Sequence, residues 1–526
     1  MTKQTCTRRD FLTCMTLAPA IVVVPQLDLW GNPSSANKTI RTISSDSKTD
    51  KTISYPRKGV KFEEVMNQET FDRLTTRIFE WQQGPGNFGG LNLHACWGET
   101  SVLARRYQGQ TISTYFQLMK GSMRLFERTG NPRWQRLAND IASNILFLQC
   151  DNGGFRHASS EFEPTYNSTS TCPIHQGMPL LALLDYAAWE HADPVLKSMV
   201  KPAVDRHWEW FNKKFWLIGN GGQPKLRSGA GWCGVTNQDL VIVAMLSAYG
   251  RLFGDFSRYN EWGKKALDAY LSPLYYYESL GLFERGDNKD FNFVERTPYY
   301  GIIITMLNRI ISDLGSSMEN KRLQAVIDNV TTHLFDAAFV APDGLTHLAW
   351  GAKTDPTDKS KILEWIKSPV TFVDYARLIP FMEKLLERRP DKKKQSIFDA
   401  LKDSFAAYVF ADGGIPAALW SADPIISIVT ATVGSLSVFW NMLIDLLGDG
   451  LHDPATEPIQ CYHRSFGAYT WKSRGSLWAI EKEGARVFGG YKPLSHGVTH
   501  GPEEKPAFGS YSELDNCDIH EILDIN

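Results

Sequence analysis

The densest group of chemically active side chains is the sequence Glu-Arg-Thr-Pro-Tyr-Tyr at residues 295–300. Thr297 followed by proline is typical of a helix start, which would place Tyr299 and Tyr300 in the first turn and Arg296 just before it. A nearby guanidinium lowers the pKa of a tyrosine, so that either phenol could remove a proton. The structural alternative is that one tyrosine is a core aromatic and that Arg296 forms a surface ion pair.

Histidines and arginines follow other glycine-rich loops. After the loop at residues 151–155 come Arg156, His157 and, at the next predicted helix start, His175. An imidazole takes up and releases protons near neutral pH, although a single histidine is more often structural. His347 follows a later glycine loop and is predicted to contact a substrate.

A third group of polar and aromatic residues consists of Arg227, Trp232, Asn237, Gln238 and Asp239. The amides of Asn237 and Gln238 can donate hydrogen bonds to a carboxylate, and Trp232 offers a flat face for a sugar ring. Asp239 is a further candidate for binding a substrate. Thr236 with Asp239 three residues later is also typical of a capping box, which would make the aspartate structural.

The elements that position these residues form an internal repeat. Glycine-rich loops begin near residues 86, 151, 220, 280, 343 and 412, a period of about 60 to 70 residues. Between successive loops, apolar residues at helical spacing predict pairs of helices. The predicted helices cover residues 112–129, 134–148, 177–190, 195–216, 236–253, 259–277, 299–314, 321–338, 372–386 and 393–410.

A hairpin of two helices cannot cover its own apolar face, so the repeats must stack on one another. An open solenoid of the armadillo type is one arrangement, but its repeats are shorter and its loops less aromatic. Six or seven hairpins of this length instead fit a closed ring with the glycine loops at one mouth. The sequence therefore predicts an all-α, (α/α) six- or seven-hairpin toroid over residues 59–455.

The two ends of the chain differ from the repeat. Residues 1–30 contain Arg8-Arg9 before a short apolar run, which resembles a twin-arginine-type signal peptide and predicts a periplasmic or secreted protein. The run is too short to anchor stably in a bilayer, so no membrane span is expected in the mature protein. Residues 31–58 are polar and predict a linker. Residues 456–526 alternate aromatic and β-branched segments with glycines and predict a short β-rich C-terminal extension.

The composition narrows the class of partner. The chain is 43% hydrophobic and 22% charged with a net charge of -2, which indicates a globular protein and argues against a nucleic-acid partner. The cysteines outside the first 30 residues show no zinc-site spacing and are predicted to be buried thiols. We predict no metal and no cofactor, and the sequence does not indicate an oligomeric state.

An exported helical toroid with Asp-Gly-Gly loops and an aromatic-rich mouth resembles the (α/α)-toroid carbohydrate-active enzymes. These include uronic-acid polysaccharide lyases, such as alginate and glucuronan lyases, and related glycoside hydrolases. The resemblance covers residues 60–450 as architecture. It implies a carbohydrate substrate, while the reaction must be argued from the side chains.

Together with this resemblance, the mixture of arginine, histidine and tyrosine favours a lyase that cleaves an acidic polysaccharide or oligosaccharide by β-elimination. Elimination needs a base for the C5 proton and donors that neutralise the adjacent carboxylate. The predicted catalytic residues are Tyr300, Tyr299, His175, His157 and Arg296. The predicted substrate-binding residues are Asn237, Gln238, Trp232, Asp239, Arg156, Arg227 and His347.

Two alternatives belong to other functional classes. A glycoside hydrolase would use two carboxyl groups, drawn from Glu161, Glu163, Asp239, Glu284, Glu295 and Asp374. A non-catalytic glycan-binding protein would use surface tryptophans and tyrosines to stack sugars, without a base.

Overall fold

The structure, a computed structural model, describes residues 52–91, 107–109, 114–155, 172–216, 230–286, 294–315, 318–355, 357–358, 360–369, 372–416, 418–421, 427–428, 433–455, 461–474, 477–491 and 519–525. The predicted signal peptide (residues 1–30) lies outside them. The helices are α1 (Phe62–Val65), α2 (Gln68–Phe79), α3 (Tyr115–Thr129), α4 (Pro132–Phe147), α5 (Pro173–Ala188), α6 (Pro194–Phe215), α7 (Thr236–Phe253), α8 (Lys264–Tyr270, preceded by a π-helical turn, Tyr259–Gly263), α9 (Thr297–Leu314), α10 (Met318–Asp336), α11 (Phe372–Arg388), α12 (Lys392–Ala407) and α13 (Val433–Leu447), which a 3₁₀ turn (Gly448–Gly450) follows.

The strands are β1 (Thr52–Tyr55), β2 (Gln82–Gly84), β3 (Asn87–Leu91), β4 (Tyr107–Gly109), β5 (Tyr276–Tyr277), β6 (Leu282–Phe283), β7 (Ala338–Val340), β8 (Thr346–Leu348), β9 (Gly351–Thr354), β10 (Ile362–Ile366), β11 (Cys461–Phe466), β12 (Tyr469–Arg474), β13 (Leu477–Lys482), β14 (Ala485–Tyr491) and β15 (Ile519–Ile525).

Six helices form a closed inner ring: α3, α5, α7, α9, α11 and α13 each pack on the next, and α13 packs back on α3. Behind the first five of these lie the outer helices α4, α6, α8, α10 and α12, and α2 lies behind α13. The first outer helix and the last inner helix therefore come from opposite ends of the described chain. The predicted (α/α) toroid is confirmed, with six inner helices in the part of the chain that the structure describes.

The residue pattern explains which helices are inner. In α7, the residues from Leu240 to Ala244 are all buried, as expected for a helix surrounded by protein on every side. The outer helix α4 instead buries Trp134, Leu137, Ala138 and Ile141, which is the single stripe of an amphipathic helix.

Helix ends follow standard capping chemistry. At the start of α6 the Asp193 carboxylate accepts hydrogen bonds from the backbone N–H groups of Val195 and Leu196, with Pro194 in the first position. At the end of α3, Gly130 takes the left-handed conformation (φ 66°) that terminates many helices. These tight ends allow the inner-to-outer connections to be short.

The strands β2 to β10 form four small sheets of two or three strands, and the six other strands form one sheet in the order β1-β15-β11-β12-β13-β14. It confirms the predicted β-rich C-terminal part and packs beside the loop before α13. The buried pair of Arg464 on β11 and Asp412 in that loop (2.9 Å) joins the two, and the Arg464 guanidinium also lies over the Phe410 ring.

The structure differs from the predicted linker over residues 31–58. Its residues Thr52–Tyr55 form β1, which pairs in parallel with β15. The Tyr55 hydroxyl donates to the Tyr408 carbonyl oxygen (2.8 Å), and the Arg57 guanidinium donates to the Val409 carbonyl oxygen (2.7 Å). Residues 52–57 thus have partners on β15 and on the loop after α12, which their own composition could not reveal.

The cysteines also differ in part from the prediction. Cys150, Cys172 and Cys233 are thiols, whereas Cys461 on β11 is disulfide-bonded. Disulfides persist mainly in oxidising compartments, so this bond agrees with the expected export.

Candidate functional site

All outer-to-inner loops lie at one end of the toroid, because each one joins the end of an outer helix to the start of an inner helix. We name this end the mouth. It contains the glycine turns, here meaning the turns at Gly86, Gly153, Gly281, Gly344 and Gly413, all with positive φ.

Most glycine turns rest directly on an outer helix. A Cβ atom on Gly153 would lie 2.5 Å from the carbonyl oxygen of Arg206 in α6, and one on Gly413 would lie 2.5 Å from the backbone nitrogen of Leu74 in α2. No side chain fits at such distances. The repeated glycines therefore reflect close backbone packing of the loops, and the chemistry must lie in the residues beside them.

The fourth residue of four inner helices is a polar side chain: Gln176 in α5, Asp239 in α7, Tyr300 in α9 and Tyr375 in α11. The Tyr300 hydroxyl accepts a hydrogen bond from the backbone N–H of Phe283 (3.1 Å), and the Tyr375 hydroxyl accepts one from the backbone N–H of Leu348 (2.6 Å). Each tyrosine thus holds the loop that precedes its own helix.

This position corrects the prediction that Tyr300 is a catalytic base. Its side chain is 2% exposed, and burial raises its pKa well above the ordinary value for tyrosine. A base that acts near neutral pH needs the opposite shift. We assign Tyr300 a structural role, equivalent to that of Tyr375.

Asp239 has the same role in α7. Its carboxylate accepts hydrogen bonds from the backbone N–H groups of Trp232 (2.9 Å), Cys233 (3.0 Å) and Gly234 (3.3 Å) and from the Tyr270 hydroxyl (2.7 Å). The side chain is fully buried, and these four hydrogen bonds give it a structural role; its predicted contact with a substrate stays a prediction. Burial raises its pKa, while these hydrogen bonds oppose the shift.

Two threonines connect each helix start to the following loop. The Thr236 hydroxyl donates to the Glu284 carbonyl oxygen (2.7 Å), and the Thr297 hydroxyl donates to the Ala349 carbonyl oxygen. Both threonines are the first residues of their helices, after Val235 and Arg296 at the N-cap. The predicted capping box at Thr236 and the predicted N-cap at Thr297 are therefore wrong, because these hydroxyls bind a neighbouring loop.

Trp232 is a core residue, contrary to the prediction of a sugar platform. It is 2% exposed, its ring centroid lies 4.8 Å from that of Trp216, and its indole N–H donates to Asn212 (3.3 Å). Asn237 is also buried, and its side-chain oxygen has no hydrogen-bond partner among the described residues. Gln238 is half-buried.

The described residues at the start of α9 form an arginine-glutamate-aromatic cluster. Glu284, the residue directly after β6, pairs with Val294. Next to this pair, the Arg285 guanidinium donates a hydrogen bond to Glu295 Oε1 (2.8 Å). The same guanidinium lies 4.6 Å from the centre of the Tyr299 ring. We name the residues Arg285, Glu295, Arg296, Tyr299 and Trp350 the α9 cluster.

Within the α9 cluster, the Arg296 guanidinium lies 4.0 Å from the centre of the Trp350 ring. This is a typical cation–π distance. Arg296 and Tyr299 are only partly buried, so the structure places both of these predicted residues near one another at the mouth.

Glu295 is the most unusual member of the α9 cluster. It is 1% exposed, and its Oε2 atom has no hydrogen-bond partner among the described residues. Burial raises its pKa, and the positive charge of Arg285 opposes this shift only in part. A carboxyl group in this state can carry a proton and donate it.

The predicted histidines are at different places. His175 is the third residue of α5 and is buried. His347 is fully buried on β8, with Nε2 2.8 Å from Asp343 Oδ2 and Nδ1 3.4 Å from the Tyr375 hydroxyl. These partners and its burial hold His347 inside the loop, and its predicted contact with a substrate stays a prediction. His157, Arg156 and Arg227 lie outside the described residues.

The third helical residue recurs among the predicted sites: His175 in α5, Gln238 in α7 and Tyr299 in α9. Asp374 has this position in α11. Because the inner helices start at one mouth, all four residues belong to the first helical turns there. Helix starts carry partial positive charge, which adds to that of Arg285 and Arg296 and suits negative charge on a substrate or a transition state.

In the sequence, Glu295 is one of several candidate carboxyl groups and Trp350 is one of 16 tryptophans. Their importance depends on the pairing of Glu284 with Val294 and on the hydrogen bond of Thr297 to the loop carrying Trp350 (2.9 Å, backbone). Only the position of Glu295 beside a predicted helix start could have singled it out.

The described residues contain neither a metal-binding cluster nor a membrane-spanning helix. No group of three or more histidine, cysteine, aspartate or glutamate side chains there could hold a metal ion. Among the described helices, none combines the length and apolar character needed to cross a membrane.

Comparison with known proteins places the chain by its fold. No family model and no curated protein matches the sequence. A sugar epimerase from a ruminal bacterium is 12% identical, with 74% of this chain and 99% of that chain covered and a TM-score of 0.53. The cellobiose 2-epimerase of Bacillus thermoamylovorans B4167 is also 12% identical, with 73% and 100% covered and a TM-score of 0.51.

A mannosidase of glycoside hydrolase family 76 from Bacteroides thetaiotaomicron VPI-5482 matches with 11% identity, 72% and 97% coverage and a TM-score of 0.47. At such identities, the two matches with the higher TM-scores show the fold alone. The chain has the (α/α)-toroid fold that these carbohydrate-processing enzymes share.

Proposed function

We propose that this protein is a carbohydrate-active enzyme that binds a glycan at the mouth and hydrolyses a glycosidic bond, with Glu295 as the proton donor. The observation that carries the proposal is the state of Glu295, which is a buried carboxyl group with a raised pKa and an Oε2 atom without a partner among the described residues. Protonation of the leaving oxygen by such a group is the first requirement of glycoside hydrolysis.

The surroundings of Glu295 support this role. Arg285 fixes Oε1 at 2.8 Å, which leaves Oε2 as the oxygen that could carry the proton. Trp350 and Tyr299 add aromatic surface beside it, and aromatic rings are suited to the apolar faces of sugars. The fold shared with sugar epimerases supports a carbohydrate substrate.

Hydrolysis also needs a second carboxylate. Glu284 pairs with Val294, the residue before Glu295, but its Oε2 accepts a hydrogen bond from the Tyr277 hydroxyl (2.9 Å). Asp374, the third residue of α11, is next around the ring from Tyr299. We propose Asp374 as the second carboxylate on the basis of this position.

Elimination is the second candidate, because the α9 cluster contains two guanidinium groups, Arg285 over the Tyr299 ring and Arg296 over the Trp350 ring, that could neutralise a uronate carboxylate. The sequence-based version of this reaction loses its first base, since Tyr300 is buried and hydrogen-bonded to Phe283. Tyr299 would then have to remove the proton.

The test uses the purified full chain with neutral glycans and with uronic-acid polysaccharides. Hydrolysis releases reducing ends without ultraviolet absorbance of an unsaturated sugar, whereas elimination gives both. Exchange of a sugar C–H for deuterium in D₂O, without chain cleavage, would indicate epimerisation instead and would contradict both proposals.

Glu295→Gln identifies the residue. We expect turnover to fall about 10²- to 10⁴-fold, the usual contribution of a general acid, and the alkaline limb of the pH profile of kcat/KM to change. Glu278→Gln is the matched control, since Glu278 is an exposed glutamate in the same loop. Unchanged turnover in a folded Glu295→Gln variant would remove Glu295 from the mechanism.

For location, we propose export to the periplasm or the medium. The disulfide bond at Cys461 supports this proposal. Detection of the protein only in the cytoplasmic fraction of its host would contradict it.

A further inference from the structure

A second cavity, of about 220 Å³, lies between the toroid and the six-stranded sheet. We name it the rim pocket. Its aromatic walls are Tyr55 of β1, Phe466 of β11, Tyr408 and Trp420, and its polar groups include Asp343 and Ser427. All of these residues lie outside the α9 cluster.

The rim pocket is at the outer edge of the mouth. Asp343 belongs to the glycine turn at Gly344, and Gly413 of the neighbouring loop rests on the outer helix α2. The sheet strands β1 and β11 close the other side of the pocket. Its walls therefore come from two parts of the fold, the loops of the toroid and the six-stranded sheet.

The backbone conformation of Trp420, in the wall of the rim pocket, is unusual. Its backbone has φ 44°, in the left-handed region that costs a bulky residue about 1–2 kcal/mol. The strained conformation is held by the Trp420 backbone N–H, which donates to the Tyr408 hydroxyl (3.0 Å). A strained residue in a pocket wall is more often found at a ligand site than in ordinary structure.

The polar side of the rim pocket contains the Asp343 carboxylate. Asp343 Oδ2 accepts from the Tyr408 hydroxyl (2.6 Å) and lies 2.8 Å from His347 Nε2. Although burial raises the pKa of Asp343, these hydrogen bonds lower it to about 2. A carboxylate that stays ionised accepts hydrogen bonds from hydroxyl groups and repels an anion.

We propose that the rim pocket binds one neutral sugar residue, as a glycan-binding site separate from the reaction site in the mouth. Aromatic walls with a few polar groups are the usual lining of such a site, and the volume lies below the range of about 300–1,000 Å³ for larger ligands. The proposal extends the proposed glycan-acting function, but its test measures binding and does not need turnover.

The experiment titrates the full chain with methyl β-D-glucopyranoside, methyl α-D-mannopyranoside and methyl β-D-galactopyranoside by saturation-transfer NMR and calorimetry. Sodium D-glucuronate serves as the anionic counterpart. We expect at least one neutral glycoside to bind and glucuronate not to bind at this place. Trp420→Gly should weaken the neutral glycoside about tenfold or more, because it removes the wall and leaves a residue that accepts a positive φ.

Phe466→Ala provides a second variant from the sheet side and should weaken binding similarly. Trp365→Ala, on β10 and outside the rim pocket, is the matched control and should bind as the unaltered chain does. Glu295→Gln should also retain binding. The proposal would be overturned if no neutral glycoside binds, or if Trp420→Gly and Phe466→Ala bind the glycoside as tightly as the unaltered chain does. It would also be overturned if glucuronate binds and Trp420→Gly removes that binding.

The two proposals fail separately. Rim binding without any glycosidic cleavage would contradict only the proposed function. Cleavage that depends on Glu295, with no sugar bound in the rim pocket, would contradict only the rim site.

Discussion

Replacing Tyr300 by phenylalanine separates the two roles this residue can have. The variant keeps the ring and deletes the hydroxyl that accepts the hydrogen bond from the Phe283 backbone N–H (3.1 Å). Phe283 is fully buried, so water cannot replace the lost partner. An unsatisfied buried donor costs about 1–3 kcal/mol, and we expect Tyr300→Phe to lower the free energy of unfolding by that amount while turnover persists.

The assay is urea unfolding followed by circular dichroism, combined with turnover on the best glycan. Tyr375→Phe is the matched variant, because its hydroxyl holds the Leu348 N–H in the same way (2.6 Å), and it should lose a similar amount of stability. If Tyr300→Phe unfolds at the unaltered urea concentration but loses turnover 100-fold or more, on the order expected for a proton-transfer group, the structural assignment is wrong and the phenol is catalytic.

Two further predictions concern stability. Gly413→Ala should lower the free energy of unfolding more than Gly344→Ala does. Both substitutions add about 1–2 kcal/mol of left-handed backbone strain, but only Gly413→Ala places a Cβ 2.5 Å from a backbone nitrogen, a clash that costs about 1–3 kcal/mol more. Equal unfolding free energies for the two variants would contradict the packing argument. Lys120→Met should stabilise the fold by about 1–4 kcal/mol at neutral pH, because burial lowers the pKa of Lys120 and none of the described residues forms an ion pair with it. The folded-state pKa of Lys120 lies below the ordinary 10.5. The free-energy cost of burying the charged amine is therefore complete below the folded-state pKa and disappears as pH rises towards 10.5. Urea unfolding of the unaltered chain and of Lys120→Met at neutral and alkaline pH measures this, and the stability difference between them should shrink at alkaline pH.

The helices show which local patterns can be read from a sequence. The predicted bounds of 236–253 agree with α7, and those of 112–129 differ from α3 only at its start. The prediction for residues 259–277 extended too far, since Pro273 cannot continue α8 and a strand follows at Tyr276. Helix α13 was not predicted, because it is apolar on nearly every side and so lacks the amphipathic period.

The candidate site shows what such patterns leave open. His175, Gln238 and Tyr299 were selected for their chemistry, as were Tyr300 and Asp239. The structure separates these groups by one residue: His175, Gln238 and Tyr299 are the third residues of their helices, whereas the fourth residues Tyr300 and Asp239 bind the preceding loops. One helical residue is a rotation of about 100°, and the direction in which each side chain then points depends on where the loop is packed.

By itself, the sequence determined the repeat of hairpins, the glycine turns and the β-rich end, because spacing and backbone conformational limits act over a few residues; it favoured a closed toroid, whose closure depends on the packing of α13 against α3 and α2. Only the tertiary structure decided that Tyr300, Asp239 and Trp232 are buried supports and that Glu295 lies beside Arg285. It also decided that Thr52–Tyr55 joins a sheet with residues near the C-terminus. These outcomes depend on burial and on partners far away in the chain, and neither quantity is encoded in the neighbouring residues.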